Sequence, residues 1–355
     1  MAQEGKPKVR RKKFLKFLSV LGPGLTTGAA DDDPSGIATY SQTGAQFGYG
    51  QLWTALYMLP FMMGVQEACA RTGMVTGKGI AAIVKEHYNS KVLYTVVSLV
   101  VIANVINIGA DIGAMAAAAA LIIPLPFVVW TLLFTASILI LEIFTSYKVY
   151  ARILKWLALS LLAYPITVFI VQMPWLTVLK ATFIPHIEFS FAFFFIITGV
   201  LGTTISPYMF FWETSQEVEE VKEKHWIRNG VPEIRPANIR LMRFDNNIGM
   251  IISEITTWSI LVVAGTVLHN SGVTDIKTAA DAARAIEPLV HSFPHAGYLS
   301  KLIFAIGIIG LGFLAVPVLS GSAAYAVSEA ANWDSGLNLK LNKAHGFYGV
   351  ITIAT

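Results

Sequence analysis

Charged residues are scarce in this sequence. Only 14% of its 355 residues are Asp, Glu, Lys or Arg, and 55% are hydrophobic, whereas a soluble domain carries about 25% charged residues. The chain therefore has too little polar surface for an ordinary soluble enzyme. A net charge of +4 is also too small to indicate a nucleic-acid partner before the basic residues have been located.

Cysteine is almost absent. Cys69 is the single one, so no internal disulfide can form, and no second Cys or nearby His completes a metal motif. The sequence also lacks an H-E-x-x-H pair and a glycine-rich phosphate loop, the signatures of a metalloprotease and of a nucleotide hydrolase. We expect Cys69 to be a packing residue and predict neither enzymatic activity nor a resident cofactor.

Long apolar runs, by contrast, are abundant. A hydrocarbon core about 30 Å thick needs roughly 20 apolar residues per helix. Eight runs of that kind fall at 14–44, 51–70, 92–122, 126–146, 153–173, 190–216, 246–268 and 300–327. A ninth run begins at Gly346 and reaches Thr355 about ten residues short of a span. The sequence predicts an all-α polytopic membrane protein and indicates a C-terminally truncated chain.

The basic residues predict an orientation. With the N-terminus inside the cell, 22 of them fall on the cytoplasmic side and only Lys180, Lys277, Arg284 and Lys301 on the other. Lys and Arg are enriched in cytoplasmic connections. We therefore expect residues 1–13 to form a basic cytoplasmic tail, and we expect the protein to lie in the plasma membrane of a prokaryotic cell.

Three adjacent carboxylates interrupt the first apolar run. Asp31, Asp32 and Asp33 would cost about 2.5–3.5 kcal/mol each in lipid, so they must face a cavity, a partner or an ion. The next residues disfavour a helix, because proline lacks an N–H and glycine permits unusual backbone angles. The predicted helix break lies at Pro34, Ser35 and Gly36. Free carbonyls beside carboxylates there would suit a cation.

Two other interpretations of this stretch remain open. It could be a short extracellular loop between interfacial helices, or a calcium loop of the EF-hand kind, although Gln42 stands where that loop has Glu. The half-helix that follows has a polar face, which indicates the wall of a wet pathway. Its polar residues are Thr39, Ser41, Gln42, Thr43 and Gln46.

A second interruption lies in the sixth run, at residues 202–207 with Pro207. Two broken helices five segments apart are typical of inverted-repeat transporters with a site near the membrane midplane. Glu213 follows Ser206 by seven residues and so lies on roughly the same helical face. It either guards the cytoplasmic side of the site or belongs to the interfacial acidic run at 217–220.

The remaining intramembrane acids are less informative. Asp111 follows Asn107 by four residues, so both are predicted to face the bundle interior, in a structural hydrogen bond or along the ion path. Glu142 is expected near an interface, and Glu67 and Glu254 receive no assignment. His291 and His295 form an i, i+4 pair without a third ligand, which predicts a solvated loop rather than a zinc site.

Three stretches resemble the NRAMP family of divalent metal-ion transporters. They are Leu21-Gly22-Pro23-Gly24 leading to Asp33-Pro34-Ser35-Gly36, Ala45-Gln46-Phe47-Gly48-Tyr49, and Gly73-Met74-Val75-Thr76-Gly77-Lys78. The first two are similar to the family's first helix and the third to the end of its second helix. The likeness covers most of the first six runs and is nearest to the NRAMP-related magnesium transporters.

The resemblance implies a LeuT-type fold of two inverted five-helix repeats, with helices 1 and 6 broken at the membrane midplane. The first repeat would cover 14–173 and an incomplete second repeat 190–355. The family's metal lies between the two breaks, at positions that match Asp33, Ser206 and the main-chain carbonyl of Thr203. Asp32 and Gly36 complete the predicted metal site, and the predicted pathway residues around it are Asp31, Gln42, Asn107, Asp111, Tyr208, Met209 and Glu213.

This sequence departs from the family at both breaks. The family's Asp-Pro-Gly-Asn reads Asp33-Pro34-Ser35-Gly36, and its Met-Pro-His reads Ser206-Pro207-Tyr208. Ser206 removes a soft thioether that favours transition metals, and Gly36 removes an amide and enlarges the cavity. The remaining hard oxygens suit Mg²⁺, which keeps several waters. Met209 keeps a transition-metal interpretation open.

Proton coupling is not predicted. Proton-coupled members carry an Asp and a Glu three residues apart in helix 3, where this chain has Asn107 and Ala110 with Asp111 displaced by one. Histidines that follow the helix-6 break are replaced by Tyr208 and Glu213.

The sequence therefore predicts a secondary transporter that imports partly hydrated Mg²⁺, and also Mn²⁺, by alternating access. The alternatives are a proton-coupled Mn²⁺ or Fe²⁺ importer, a LeuT-like amino-acid carrier, and a non-transporting receptor or scaffold with a residual metal site. The predicted partners are the divalent ion, as cargo, and the lipid bilayer, without nucleic acid, and the oligomeric state is left open.

Overall fold

The structure is a computed structural model and describes residues 22–145, 162–229, 231–276, 279–283 and 295–355. The predicted basic tail and His291 lie outside these residues. The regular secondary structure of the described residues is helical except for one short antiparallel pair of strands. This confirms the all-α prediction.

The helices follow the predicted apolar runs in chain order. They are α1 (Pro23–Asp31), α2 (Pro34–Phe47), α3 (Trp53–Thr76), α4 (Ile80–His87), α5 (Ser90–Ala120), α6 (Phe127–Phe144), α7 (Ala163–Ile170), α8 (Trp175–Phe183), α9 (Phe191–Thr204), α10 (Pro207–Glu223), α11 (Pro236–Val267), α12 (Ala279–Ala283), α13 (Ala296–Ala331) and α14 (His345–Ala354). The strands β1 (Ile227–Arg228) and β2 (Val231–Pro232) join α10 to α11.

Five helical stretches of the described residues are long and apolar enough to cross a membrane. They are Ser90–Ala120, Phe127–Phe144, Phe191–Glu223, Pro236–Ser271 and Gly297–Ala331. Eight complete spans were expected. The first predicted run is divided between α1 and α2, which have only nine and fourteen residues, and α3 carries polar residues such as Gln66 and Glu67. Part of the run 153–173 lies outside the described residues.

Two long helices organise the packing. Helix α11 lies against α1, α2, α3 and α7, and α13 lies against α5, α10 and α14. Glycine makes the α1–α11 contact very close, because a Cβ on Gly28 would lie 2.4 Å from the main chain of Gly249. Backbones this close leave no room for side chains, so α11 fixes the position of α1.

Both predicted helix breaks are present, and the first is narrower than expected. Helix α1 ends at Asp31 and α2 begins at Pro34, so Ser35 and Gly36 are helical rather than unwound. The reason is that Asp33 caps α2 by accepting a hydrogen bond from the Gly36 amide. The second break lies between Thr204, the last residue of α9, and Pro207, the first residue of α10.

Candidate metal site

Asp33 lies at the first break, where its carboxylate is held on both oxygens. Oδ1 accepts the Gly36 amide and lies 2.8 Å from the Ser35 hydroxyl. Oδ2 accepts a hydrogen bond of 2.8 Å from the Asn107 side-chain amide on α5. All of these partners are neutral, so the carboxylate keeps its negative charge available to a cation.

Three oxygens converge on the side of Gly36 where a side chain would begin, and we call the region between them the oxygen-lined space. A Cβ at this position would lie 3.0 Å from Asp33 Oδ1, 3.1 Å from Thr203 Oγ1 and 3.3 Å from the main-chain oxygen of Asp31. These three oxygens come from both sides of the first break and from α9 near the second. A carboxylate, a hydroxyl and a main-chain carbonyl are hard ligands of the kind that Mg²⁺ and Ca²⁺ prefer.

The oxygens around Gly36 are not a cluster of carboxylates. Within the described ranges, no group of three or more His, Cys, Asp and Glu side chains could hold a metal ion. An ion at this position would therefore rely on Asp33 as the single charged side chain. Thr203 faces the space with its hydroxyl, whereas sequence reasoning expected its main-chain carbonyl.

Asn107 and Asp111 contact the first break from α5, one helical turn apart. Besides holding Asp33, the Asn107 side chain lies 2.7 Å from the Ser35 hydroxyl. Asp111 is fully buried, and its Oδ1 accepts the Ser35 amide at 3.0 Å. Both residues thus fix the start of α2.

The second break is joined to the first by two tyrosines. Tyr208 on α10 donates a hydrogen bond of 2.9 Å to the main-chain oxygen of Ala30, and the Tyr40 hydroxyl lies 2.8 Å from Thr204 Oγ1. Ser206 occupies the N-cap position of α10, yet among the described residues its side chain makes no capping hydrogen bond. Its hydroxyl is therefore not committed to the helix that it precedes.

Asp31 and Asp32 turn away from Asp33 towards α11. Asp31 accepts a hydrogen bond of 2.6 Å from Ser253, and Asp32 accepts one of 3.0 Å from Thr257. Glu254 lies beside these two carboxylates and is only 4% exposed. In the described part of the chain its two carboxylate oxygens have no hydrogen-bond partner. Asp32 was expected among the ligands, but its hydrogen bond directs it to α11, a contact that sequence spacing does not reveal.

Glu213 of α10 is buried beside α1. It is 0% exposed and accepts a hydrogen bond from Thr27 of α1, and both of the roles considered for it stay predictions. Nearby, Asp245 of α11 accepts the main-chain amides of Gly22 and Gly24 at 2.8 and 2.9 Å. A carboxylate at a helix N-terminus is favourable, so Asp245 anchors the N-terminal end of α1. Sequence reasoning missed this role of Asp245.

The other predicted residues are distributed around the bundle. Met209 is buried in the main hydrophobic core. Gln42 ties α2 to the connection after α11, because it donates to Thr274 and accepts from the Ile276 amide. Glu142 lies in the last turn of α6, where it is buried and accepts a hydrogen bond from Ser320 of α13, and its expected place near a membrane interface stays a prediction. The long helix α13 covers that face of α6, which the apolar pattern of α6 alone could not indicate.

Comparisons with known proteins agree with this geometry. The family model described as "Natural resistance-associated macrophage protein-like" (Nramp) matches residues 24–355. A divalent metal cation transporter MntH from Staphylococcus aureus strain Mu3 is 27% identical over 308 residues, and the same protein from strain JH9 is 28% identical. Each alignment covers 84% of this chain, which spans 66% of the length of these relatives.

Solved structures of an Eremococcus coleocola manganese transporter have the same fold. One, in complex with an aromatic bis-isothiourea compound, has a TM-score of 0.72 at 15% identity and matches 99% of this chain and 77% of the other. A mutant of the same transporter has a TM-score of 0.74 at 16% identity, over 99% of this chain and 71% of the other.

Proposed function

The chain belongs to the Nramp family, and from this premise we propose that it carries divalent metal cations across a membrane, with Mg²⁺ as the main substrate. The observation that carries the proposal is the oxygen-lined space beside Gly36, where Asp33, Thr203 and the main chain of Asp31 converge. One negative side chain and two neutral oxygens leave several coordination positions to water. Mg²⁺ dehydrates reluctantly and is usually bound through one or two carboxylates, so it fits this donor set.

The two break positions themselves, Ser206 and Gly36, carry no soft ligand, which supports Mg²⁺ over the softer transition metals. Neither the Ser206 side chain nor Gly36 offers a sulfur or nitrogen atom as a ligand at the two breaks. Thiolate and thioether ligands select softer ions, whereas carboxylate, carbonyl and water suit Mg²⁺ and Mn²⁺ alike. We therefore propose Mn²⁺ as a second substrate.

We propose further that uptake proceeds without protons, by alternating access between two inverted repeats with the N-terminus in the cytoplasm. Asp33 is held by the neutral amide of Asn107 on α5, so that position offers no group to accept a proton. Coupling is also unnecessary, since a divalent ion entering a cell about 100 mV negative inside gains roughly 4.6 kcal/mol.

Ion uptake into proteoliposomes tests the proposal. With the chain reconstituted and a Mg²⁺-sensitive dye inside, we expect saturable uptake that Asp33→Asn abolishes, because the isosteric amide removes the single charged ligand. Asp334→Asn changes an exposed Asp between α13 and α14 in the same way and should leave uptake unchanged. Mg²⁺ uptake that persists in Asp33→Asn would contradict the assignment.

A proton-coupled manganese importer is the second candidate, because the similar solved structures are of a manganese transporter and Met209 lies within the first turn of α10. A pH-sensitive dye in the same vesicles separates the two candidates. Acidification of the lumen during Mn²⁺ uptake supports the second candidate, and a constant pH supports the first.

A further inference from the structure

Tyr208 makes the one side-chain hydrogen bond described between α10 and the last turn of α1. Its hydroxyl donates to the main-chain oxygen of Ala30 at 2.9 Å, and the residue is 3% exposed. The carboxylates of Asp31, Asp33 and Asp111 lie close enough to interact with the phenol. The hydroxyl is therefore placed between the two breaks, beside the oxygen-lined space.

The carbonyl that Tyr208 contacts cannot find its usual partner. In an α-helix the carbonyl of Ala30 accepts the N–H of the residue four positions on, and that residue is Pro34, which has no N–H. Ala30 is fully buried, so an unpaired carbonyl there would be costly. Beside a carboxylate it would also be a ready cation ligand.

We propose that Tyr208 is a specificity-determining residue, whose hydroxyl withholds the Ala30 carbonyl from the transported ion. This inference rests on the proposed function. With that carbonyl engaged, the ion meets fewer protein oxygens and keeps more of its water. Mg²⁺ tolerates this arrangement, whereas Ca²⁺ takes six to eight oxygen ligands and commonly uses main-chain carbonyls. Tyr208 thereby discriminates against Ca²⁺.

Tyr208→Phe tests the inference because it removes the donor and keeps the ring. Tyr348→Phe is a matched control, since that hydroxyl donates to the main-chain oxygen of Leu339 at 2.8 Å and the residue is 4% exposed in α14. Calorimetric titration with Mg²⁺ and Ca²⁺ gives the ratio of the two affinities for each purified full chain. Thermal unfolding of each variant is measured in parallel.

We expect Tyr208→Phe to raise the Ca²⁺-to-Mg²⁺ affinity ratio by up to about tenfold, the scale of one hydrogen bond between neutral groups. Tyr348→Phe should leave the ratio unchanged. Tyr208→Leu also lacks the hydroxyl donor and should raise the ratio as well. It replaces Tyr208→Phe in the test if the Phe variant does not fold. An unchanged ratio, or an equal loss of affinity for both ions, overturns the inference. Failure of the unmodified chain to bind either ion would instead overturn the proposed function.

Discussion

Replacing Gly36 by Ala places a methyl group in the oxygen-lined space. The new Cβ would lie 3.0 Å from Asp33 Oδ1 and 3.1 Å from Thr203 Oγ1. Both oxygens are on side chains, which can move by a few tenths of an ångström, so we expect the fold to tolerate the change. Alanine also favours a helix over glycine by about 0.5–1 kcal/mol, and residue 36 lies in the first turn of α2.

The ion cannot share this space with a methyl group. An ion that Asp33 Oδ1 and Thr203 Oγ1 bind at about 2.0–2.6 Å would lie beside Gly36, and a methyl group on this residue would reach into the same region and press on both oxygens. Loss of direct contact with one carboxylate oxygen and one hydroxyl removes about 2–4 kcal/mol, or roughly 30- to 1,000-fold in affinity.

Binding and stability are measured on the same preparations. Calorimetric titration with Mg²⁺ and proteoliposome uptake report the site, and thermal unfolding in detergent reports the fold. Gly64→Ala in α3 is the matched control, because within the described residues nothing lies within 4 Å of a Cβ at that position. We expect Gly36→Ala to lose Mg²⁺ binding while its unfolding temperature stays at or above that of the unmodified chain. Unchanged binding by a folded Gly36→Ala protein would refute this location for the ion.

Three further predictions concern the surroundings of the site. Gly28→Ala should destabilise the protein by about 1–3 kcal/mol or more, because the new Cβ would meet the main chain of Gly249. Thermal unfolding measures this, and Gly109→Ala is the control. Among the described residues nothing lies within 4 Å of a Cβ at Gly109, so this change should not lower the unfolding temperature. Ser206→Met should shift uptake from Mg²⁺ towards Mn²⁺ or Cd²⁺ in a competition assay, because a thioether is a softer ligand, and an unchanged ion preference would show that this side chain does not face the ion. Asn107→Leu should weaken Mg²⁺ binding by about tenfold, since it removes a hydrogen bond that orients the carboxylate at the first break, and titration calorimetry checks this.

The sequence predicted the helix breaks well because their causes are local. Pro34 and Pro207 each start a new helix, as proline does at a first helical position. The residue at which the first break ends was harder to predict from the sequence, because it depends on Asp33 capping α2. Sequence composition favours an N-cap at Asp, but three consecutive Asp residues offer three candidates.

The directions of the carboxylates could not be predicted, because they depend on distant helices. Asp31 and Asp32 turn to α11, more than 200 residues later in the chain, whereas Asp33 turns to α5. The burial of Glu142 likewise depends on how α13 packs against α6, since Ser320 of α13 donates a hydrogen bond to its carboxylate. Contacts of this kind require the three-dimensional packing.

The anchoring of α1 by Asp245 has a thermodynamic consequence. This helix has nine residues and is about 13 Å long, with its N-terminal end bound to Asp245 and its other end at the break that contains Asp33. So short a rod transmits a displacement of one end to the other, and coupling between two sites is reciprocal. Any change at the Asp245 anchor that alters the affinity for the ion is therefore matched by an equal effect of the ion on that anchor. Asp245 and Asp33 are far apart in the chain, yet they lie at opposite ends of one short helix.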